Sequence, residues 1–276
     1  MPKLTLPLED NYTDILGKAA RGRGLTIEEL AAQSGISTAM ANNILGGVVD
    51  QKGIRAMSGV LGLHPERLLS IAREEYRPEE IELMPGLSQF NTVFEDMTVN
   101  SYLVWDEATK RAVAFDTGSD VDGMLTALAD HELTLELILI THSHGDHIFD
   151  LERLMEKTGA PAWTGVGEEA GDAQTFQPGR EFQVGGLRIE TRLTAGHARA
   201  GITYVVHGLS RGVAIVGDAV FAGSMGGGAV SYQQALETNQ KEILSLPDET
   251  ILCPGHGPLT TVGEQKRHNP FFPTDS

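Results

Sequence analysis

Apolar positions along the chain follow two different periods. From Asn11 to about Arg77 they recur at helical spacing with no strand-like alternation. Thr26-Ile27-Glu28-Glu29 reads as a capping box, because the threonine can cap the amide three residues on while the glutamate reaches back. Ser34-Gly35-Ile36 breaks the chain, and Ser37 can cap a second short helix that ends at Gly46-Gly47. Asp50 starts another helical stretch, and His64-Pro65-Glu66 puts a proline in the first turn of the last. The spacing therefore predicts a bundle of about five helices over residues 1–80.

The charged, proline-bounded segment from Glu74 to Pro85 suits a linker, after which the period changes. Val99–Trp105, Ala112–Phe115, Leu135–Ile140, Arg188–Thr191, Ile202–Val206, Val213–Val216 and Thr250–Cys253 read as strands. Helices are expected over Val121–Asp130, after Asp146, and over Tyr232–Leu246, where Pro247 stops the last one. Mixed strands and helices over residues 81–276 predict an α+β domain of sheets covered by helices, preceded by the small all-α bundle of residues 1–80.

Composition narrows the function. The 276 residues carry 38 acidic and 21 basic side chains, a net charge of −17, which repels phosphate backbones and argues against nucleic acid as a partner. Cys253 is the single cysteine, so no internal disulfide can form and a reducing compartment is expected. The opening residues lack a signal-type apolar stretch, and no apolar run is long enough to span a membrane. The expectation is a cytoplasmic protein with a small-molecule substrate.

Within the bundle, Leu25–Ser37 resembles the helix-turn-helix of the phage-repressor type, with Ala31 and Gly35 where a small residue and a turn glycine let two helices cross. The segment that would be the recognition helix, Ser37–Leu45, has no Arg or Lys, whereas groove-reading helices carry some. A packing role is expected, with homo-oligomerisation through this domain as one form of it. A metabolite-sensing DNA-binding regulator is the alternative from another functional class.

The chemistry concentrates in His142-Ser143-His144-Gly145-Asp146-His147, directly after the apolar run Leu135–Ile140. In extended chain His142 and His144 project to the same side. Gly145 is expected to let the backbone turn sharply, so that Asp146 and His147 point back toward a neighbouring centre. Three histidines and an aspartate within six residues are costly to keep without a ligand, because of desolvation and mutual repulsion. Imidazole and carboxylate suit zinc, iron or manganese. His197, Asp218 and His256 each follow a glycine just past a strand-like run, and strand ends on one side of a sheet converge on a common cleft.

These motifs resemble the metallo-β-lactamase superfamily, and within it the glyoxalase II-like group of small hydrolases. The resemblance covers nearly all of residues 85–276 and implies a four-layer αβ/βα sandwich. It implies that His142, His144 and His197 hold one metal, that Asp146, His147 and His256 hold a second, and that Asp218 bridges them. Two divalent ions follow, zinc first, with iron or manganese as alternatives. Phe115-Asp116-Thr117-Gly118 resembles the family's strand-end aspartate, which supports ligands without binding metal. A water shared by two ions becomes hydroxide near neutral pH, with Asp146 and Asp218 as the catalytic carboxylates, and cleavage of a small ester or thioester is the expected reaction. Two departures stand out: Phe221-Ala222-Gly223-Ser224-Met225-Gly226 runs into Gly227-Gly228 without the usual arginine, and a long C-terminal helical extension is missing, so a glutathione thioester is not assumed. An iron-dependent persulfide dioxygenase is the nearest alternative, weakened by the missing Gly-Arg-Thr-Asp segment, and a phosphodiesterase fits the acidic charge poorly. Cys253 reads as core, and His64, His131, His207 and His268 as structural or exposed.

Overall fold

The computed structural model describes residues 6–273. The reading of Met1–Thr5 as lacking a signal-type stretch lies outside the described residues. The N-terminal part forms five helices whose starts are set by local caps: α1 (Tyr12–Gly22), α2 (Ile27–Ser34), α3 (Thr38–Leu45), α4 (Gln51–Leu61) and α5 (Pro65–Ala72). Thr26 and Glu29 exchange the reciprocal bonds of a capping box, and Ser37 and Asp50 cap α3 and α4. Gly35 closes α2 at φ +66°, a left-handed conformation that glycine adopts without steric cost. The turn between α2 and α3 thus falls where the glycine was expected to put it.

Residues 73–86 form no helix or strand, yet they are fastened down. Tyr76 is buried and its ring stacks on His268 at 5.3 Å, while the Glu79 amide donates to Glu264 Oε1 at 3.0 Å. The predicted linker is therefore a strap along the surface.

The rest of the chain builds two six-stranded sheets. The first uses β1 (Leu87–Phe94), β2 (Met97–Trp105), β3 (Arg111–Phe115), β4 (Thr134–Leu139), β5 (Ala162–Gly165) and β6 (Gln174–Phe176), paired in that order. The second uses β7 (Glu181–Val184), β8 (Leu187–Leu193), β9 (Ile202–His207), β10 (Val213–Gly217), β11 (Ile251–Pro254) and β12 (Thr260–Thr261), paired in the reverse order β12 to β7. Helices α6 (Asp122–Asp130), α7 (Gly145–Ile148), α8 (Leu151–Thr158) and α9 (Tyr232–Thr238) lie between strands, and α10 (Val262–His268) follows β12.

Central strands are apolar on both faces, as sheets covered on both sides require. In β3, Val113 and Phe115 face the second sheet, and in β9 and β10 of that sheet Tyr204, Val206, Val213 and Ile215 face the first; together they form the inter-sheet core. On the other side Ala112 and Ala114 pack under α6 and α8, through Met124, Ala127, Leu151 and Leu154. Val205, Ala214, Val216 and Leu252 on the outer face of the second sheet share one cluster with Ile243, Val262 and Phe271, and with Leu16, Leu61, Leu68 and Leu69 of the N-terminal helices. The result is helix, sheet, sheet, helix, with the last layer enlarged by the N-terminal bundle.

Several elements depart from the sequence expectations. The helix expected over Tyr232–Leu246 is the short α9 followed by a π-helical turn, Asn239–Ile243. The helix after Asp146 is split into α7 and α8, with Phe149 exposed between them. Strands β1, β5, β6, β7 and β12 were not expected; β6 and β12 have three and two residues, and β1 carries Ser88, Gln89, Asn91 and Thr92, so none shows a long apolar run. Among the described residues no helix is long and apolar enough to cross a membrane.

Candidate metal centre

The seven candidate residues come from segments that follow strands of both sheets, Asp146 and His147 from the short helix α7 and the others from loops. Parallel pairing of β3 with β4 places Asp116 beside the start of the histidine run: Thr141 donates to Asp116 through its amide, at 2.7 Å to Oδ1, and through its hydroxyl, at 2.7 Å to Oδ2. Parallel pairing of β10 with β11 sets Asp218 beside His256. His197 lies in the turn between β8 and β9.

His142 Nε2 and His197 Nε2 stand 2.9 and 3.0 Å from His144 Nδ1, and Asp218 Oδ2 is 3.4 Å from His197 Nε2. Asp146 Oδ2 lies 3.4 Å from His147 Nε2 and 3.3 Å from His256 Nε2. Within each set, His142, His144, His197 and Asp218 or Asp146, His147 and His256, one donor atom per residue falls within 4.8 Å of all the others. Asp218 belongs to both neighbourhoods, since its Oδ1 is 3.3 Å from His147 Nε2 and its Oδ2 is 3.4 Å from His256 Nε2.

Gly145 has an ordinary φ, contrary to the sharp turn expected of it; it opens α7, and His144, at ψ 146°, makes the change of direction as the residue before the helix. Other glycines are required by space. A side chain at Gly255 would collide with Asp218 Oδ1 and His147, and one at Gly226 would collide with the Asp218 carbonyl.

The outer nitrogens are held by the protein. His147 Nδ1 donates to Asp116 Oδ2 at 2.8 Å, His256 Nδ1 to the Thr98 carbonyl at 2.7 Å and His197 Nδ1 to the Gly227 carbonyl at 2.9 Å. These bonds fix the tautomer that leaves each Nε2 lone pair facing inward. Asp116 itself sits at φ +54°, a left-handed conformation that aspartate tolerates better than most residues. One brace had no signal in the sequence. Glu168, isolated in a glycine-rich turn, accepts from the Ser143 amide and hydroxyl and from the Ala200 amide, tying the histidine run to the loop after His197.

The donor set fits cations. His147 Nε2 and Asp218 Oδ1 are buried, lack a hydrogen-bond partner and face each other, an arrangement that is costly unless something positive lies between them. Burial, the neighbouring His147 and the other histidines hold His142 well below the usual imidazole range, and burial and His197 lower His144. Burial opposes charge at His147 and His256 as well, but Asp218 and Asp116 raise His147 to about 10, and Asp218 and Asp146 raise His256 to about 11. Burial likewise opposes charge on Asp218, yet His256 and His147 hold its carboxyl well below the carboxylate range.

The remaining candidates lie elsewhere. His64 caps α5, His131 stacks on Trp105 at 5.1 Å, His207 faces Glu190 at 3.6 Å, and Cys253 is fully buried in the inter-sheet core.

A family model described as the metallo-beta-lactamase superfamily matches residues 95–256, which contain all seven candidates. A Haemophilus influenzae protein named hydroxyacylglutathione hydrolase GloC is 28% identical over 203 residues, spanning 64% of this chain and 94% of its own. The crystal structure of ETHE1 from Myxococcus xanthus superposes with a TM-score of 0.60 at 30% identity, covering 68% of this chain and 86% of that one. The BLEG-1 B3 metallo-beta-lactamase superposes with a TM-score of 0.57 at 26% identity, over 68% of this chain and 100% of its own.

Proposed function

This chain belongs to the metallo-beta-lactamase superfamily, and from that premise we propose that it is a dinuclear metal-dependent hydrolase acting on a small ester or thioester. The observation that carries the reading is Asp218, a buried carboxylate whose two oxygens serve two adjacent groups of donors. His142, His144 and His197 would hold one cation, Asp146, His147 and His256 the other, and Asp218 both. Bound there, two divalent cations, zinc by first choice, would supply Lewis acidity and lower the pKa of a water from 15.7 to about 7. Asp116, Thr98 and Gly227 keep three imidazoles turned with Nε2 inward. Asp146, 3.3 Å from His256 and slightly more open to solvent than Asp218, would serve with it as a catalytic carboxylate. A thiolate leaving group needs little protonation, because a thiol has a pKa of about 8.5. The similarity to the Haemophilus hydrolase supports a thioester as the first substrate class to test.

Residues 1–80 and 81–276 are proposed as a helix-turn-helix-type unit and a hydrolase unit. Packing is the role assigned to the first, supported by the apolar cluster that its helices share with the second sheet.

The test is metal-stripped protein reloaded separately with zinc, iron and manganese and assayed against thioesters, lactones and phosphodiesters. Two metals per chain and turnover of thioesters are expected, with both lost in His144→Ala and Asp218→Ala. Iron-dependent oxygen uptake without hydrolysis would overturn the proposal, as would full activity in both variants.

A further inference from the structure

The loop that follows β10 carries Asp218 and, at Gly227, the carbonyl that orients His197. Within it the Gly226 amide donates to the Asp218 carbonyl at 3.0 Å, so displacement of residues 224–227 moves both. This loop is held from outside by the N-terminal helices. Lys18 Nζ, on α1, donates to the Met225 carbonyl at 3.0 Å and to Asp10 Oδ2 at 2.5 Å, and Ser224 Oγ donates to the same Asp10 oxygen at 2.5 Å. Asp10 is 6% exposed and Lys18 15%, so the pair is shielded from water and its geometry is worth more than that of a surface ion pair. The Lys18 ammonium also lies 5.1 Å from the centre of the Phe221 ring, whose far contact is His256 at 5.7 Å. Just before this pair, Glu9 packs against Gly257, the residue after His256.

We infer that Lys18 and Asp10 are positioning residues of the metal centre: the N-terminal bundle clamps the 221–227 loop and so sets the separation of Asp218 from His197 and His256. The inference rests on the dinuclear reading of the centre. None of the contacts requires DNA or a second chain, which gives the bundle a function inside its own molecule.

The probes are zinc affinity by chelator competition and the visible spectrum of the cobalt-loaded protein. Lys18→Met keeps an unbranched apolar stem and removes the ammonium; it should weaken zinc about tenfold and change the cobalt spectrum, the size of effect typical of groups that orient metal ligands. Lys18→Arg should restore most of both. Because Lys18→Met leaves Asp10 buried and unpaired, Asp10→Asn/Lys18→Met, which removes both charges, gives the same readout should the single variant misfold. Leu30→Ala, a fully buried position of the same bundle in α2, should lower thermal stability and leave the cobalt spectrum unchanged. The clamp is overturned if the double variant binds zinc and colours with cobalt as the unaltered protein does, or if Leu30→Ala changes the spectrum equally. Failure of the unaltered protein to take up zinc or cobalt would instead overturn the metal-centre reading, and the clamp with it.

Discussion

The outer faces of the two sheets are covered by different means. Helices α6 and α8 lie over the first sheet and come from the connections between its own strands, so cover and sheet are continuous in sequence. Over the second sheet, Val205, Ala214, Val216 and Leu252 are covered partly by segments near α9 and α10 and partly by helices from the start of the chain. The contrast teaches that the N-terminal bundle is not an ornament on a finished domain. It shares an apolar cluster with the sheet whose strand ends carry Asp218 and His256, which predicts that the two unfold together.

The comparison breaks most visibly if the bundle can be removed without loss. Deleting residues 1–77 would expose the apolar residues that Leu16, Leu61, Leu68 and Leu69 cover, and the expected product is aggregated or unfolded protein; a soluble product with a cooperative melt would show that the second sheet needs no such cover. A finer version pairs Leu69→Ala in α5 with Leu154→Ala in α8, both fully buried. Each should cost about 2–5 kcal/mol by cavity formation. Denaturant unfolding should stay a single transition in both. An early separate transition in Leu69→Ala alone would make the bundle an independent unit.

How much of this was legible depended on how local the cause is. The caps at Thr26, Ser37 and Asp50 and the glycine at 35 act within one turn of chain, and the helices start and stop where those residues put them. The histidine run could be read for a similar reason, since four of the seven candidate donors lie within six residues of one another, two in each group. Asp116 and the three later donors were legible by resemblance to a family pattern. Their convergence depends on two parallel strand pairs, β3 with β4 and β10 with β11, which no local signal encodes. Glu168 and the Asp10–Lys18 clamp were invisible, because a single glutamate in a turn, or an acid before a helix and a lysine within it, looks like ordinary surface until the fold brings loops against it. The short edge strands were missed because two or three residues carry no period.

The proposed metal centre draws on both sheets and offers a sharper measurement. Asp116 follows β3 of the first sheet, and its bond to His147 orients a candidate ligand that also faces Asp218 and His256, which follow strands of the second. Asp116→Asn keeps the size of the side chain but removes the charge that holds the Nδ1 proton. Zinc affinity should fall about 10–100-fold with the fold intact, measured by competition with a chelator. An unchanged affinity would mean that the second sheet alone fixes this half of the centre.

The smallest effect tests whether coupling between bundle and sheet is carried by packing or by local helix propensity. Thr26→Ala removes the oxygen that accepts from the Glu29 amide at 3.2 Å and frees Glu29, whose carboxyl the Thr26 amide and hydroxyl hold below its usual range. The lost cap should lower stability by about 1 kcal/mol, read from the denaturant midpoint. Because α2 reaches the sheet through other helices, zinc affinity should not change. That separation follows from the geometry: the polar contacts that reach the 221–227 loop leave from Asp10 and Lys18, just before and within α1, and among the described residues none leaves from α2, so weakening α2 loosens the bundle without moving the loop. A loss of zinc affinity in Thr26→Ala comparable to that in Lys18→Met would show instead that the centre responds to the bundle's overall stability, and the contrast between a covering helix and a clamping one would disappear.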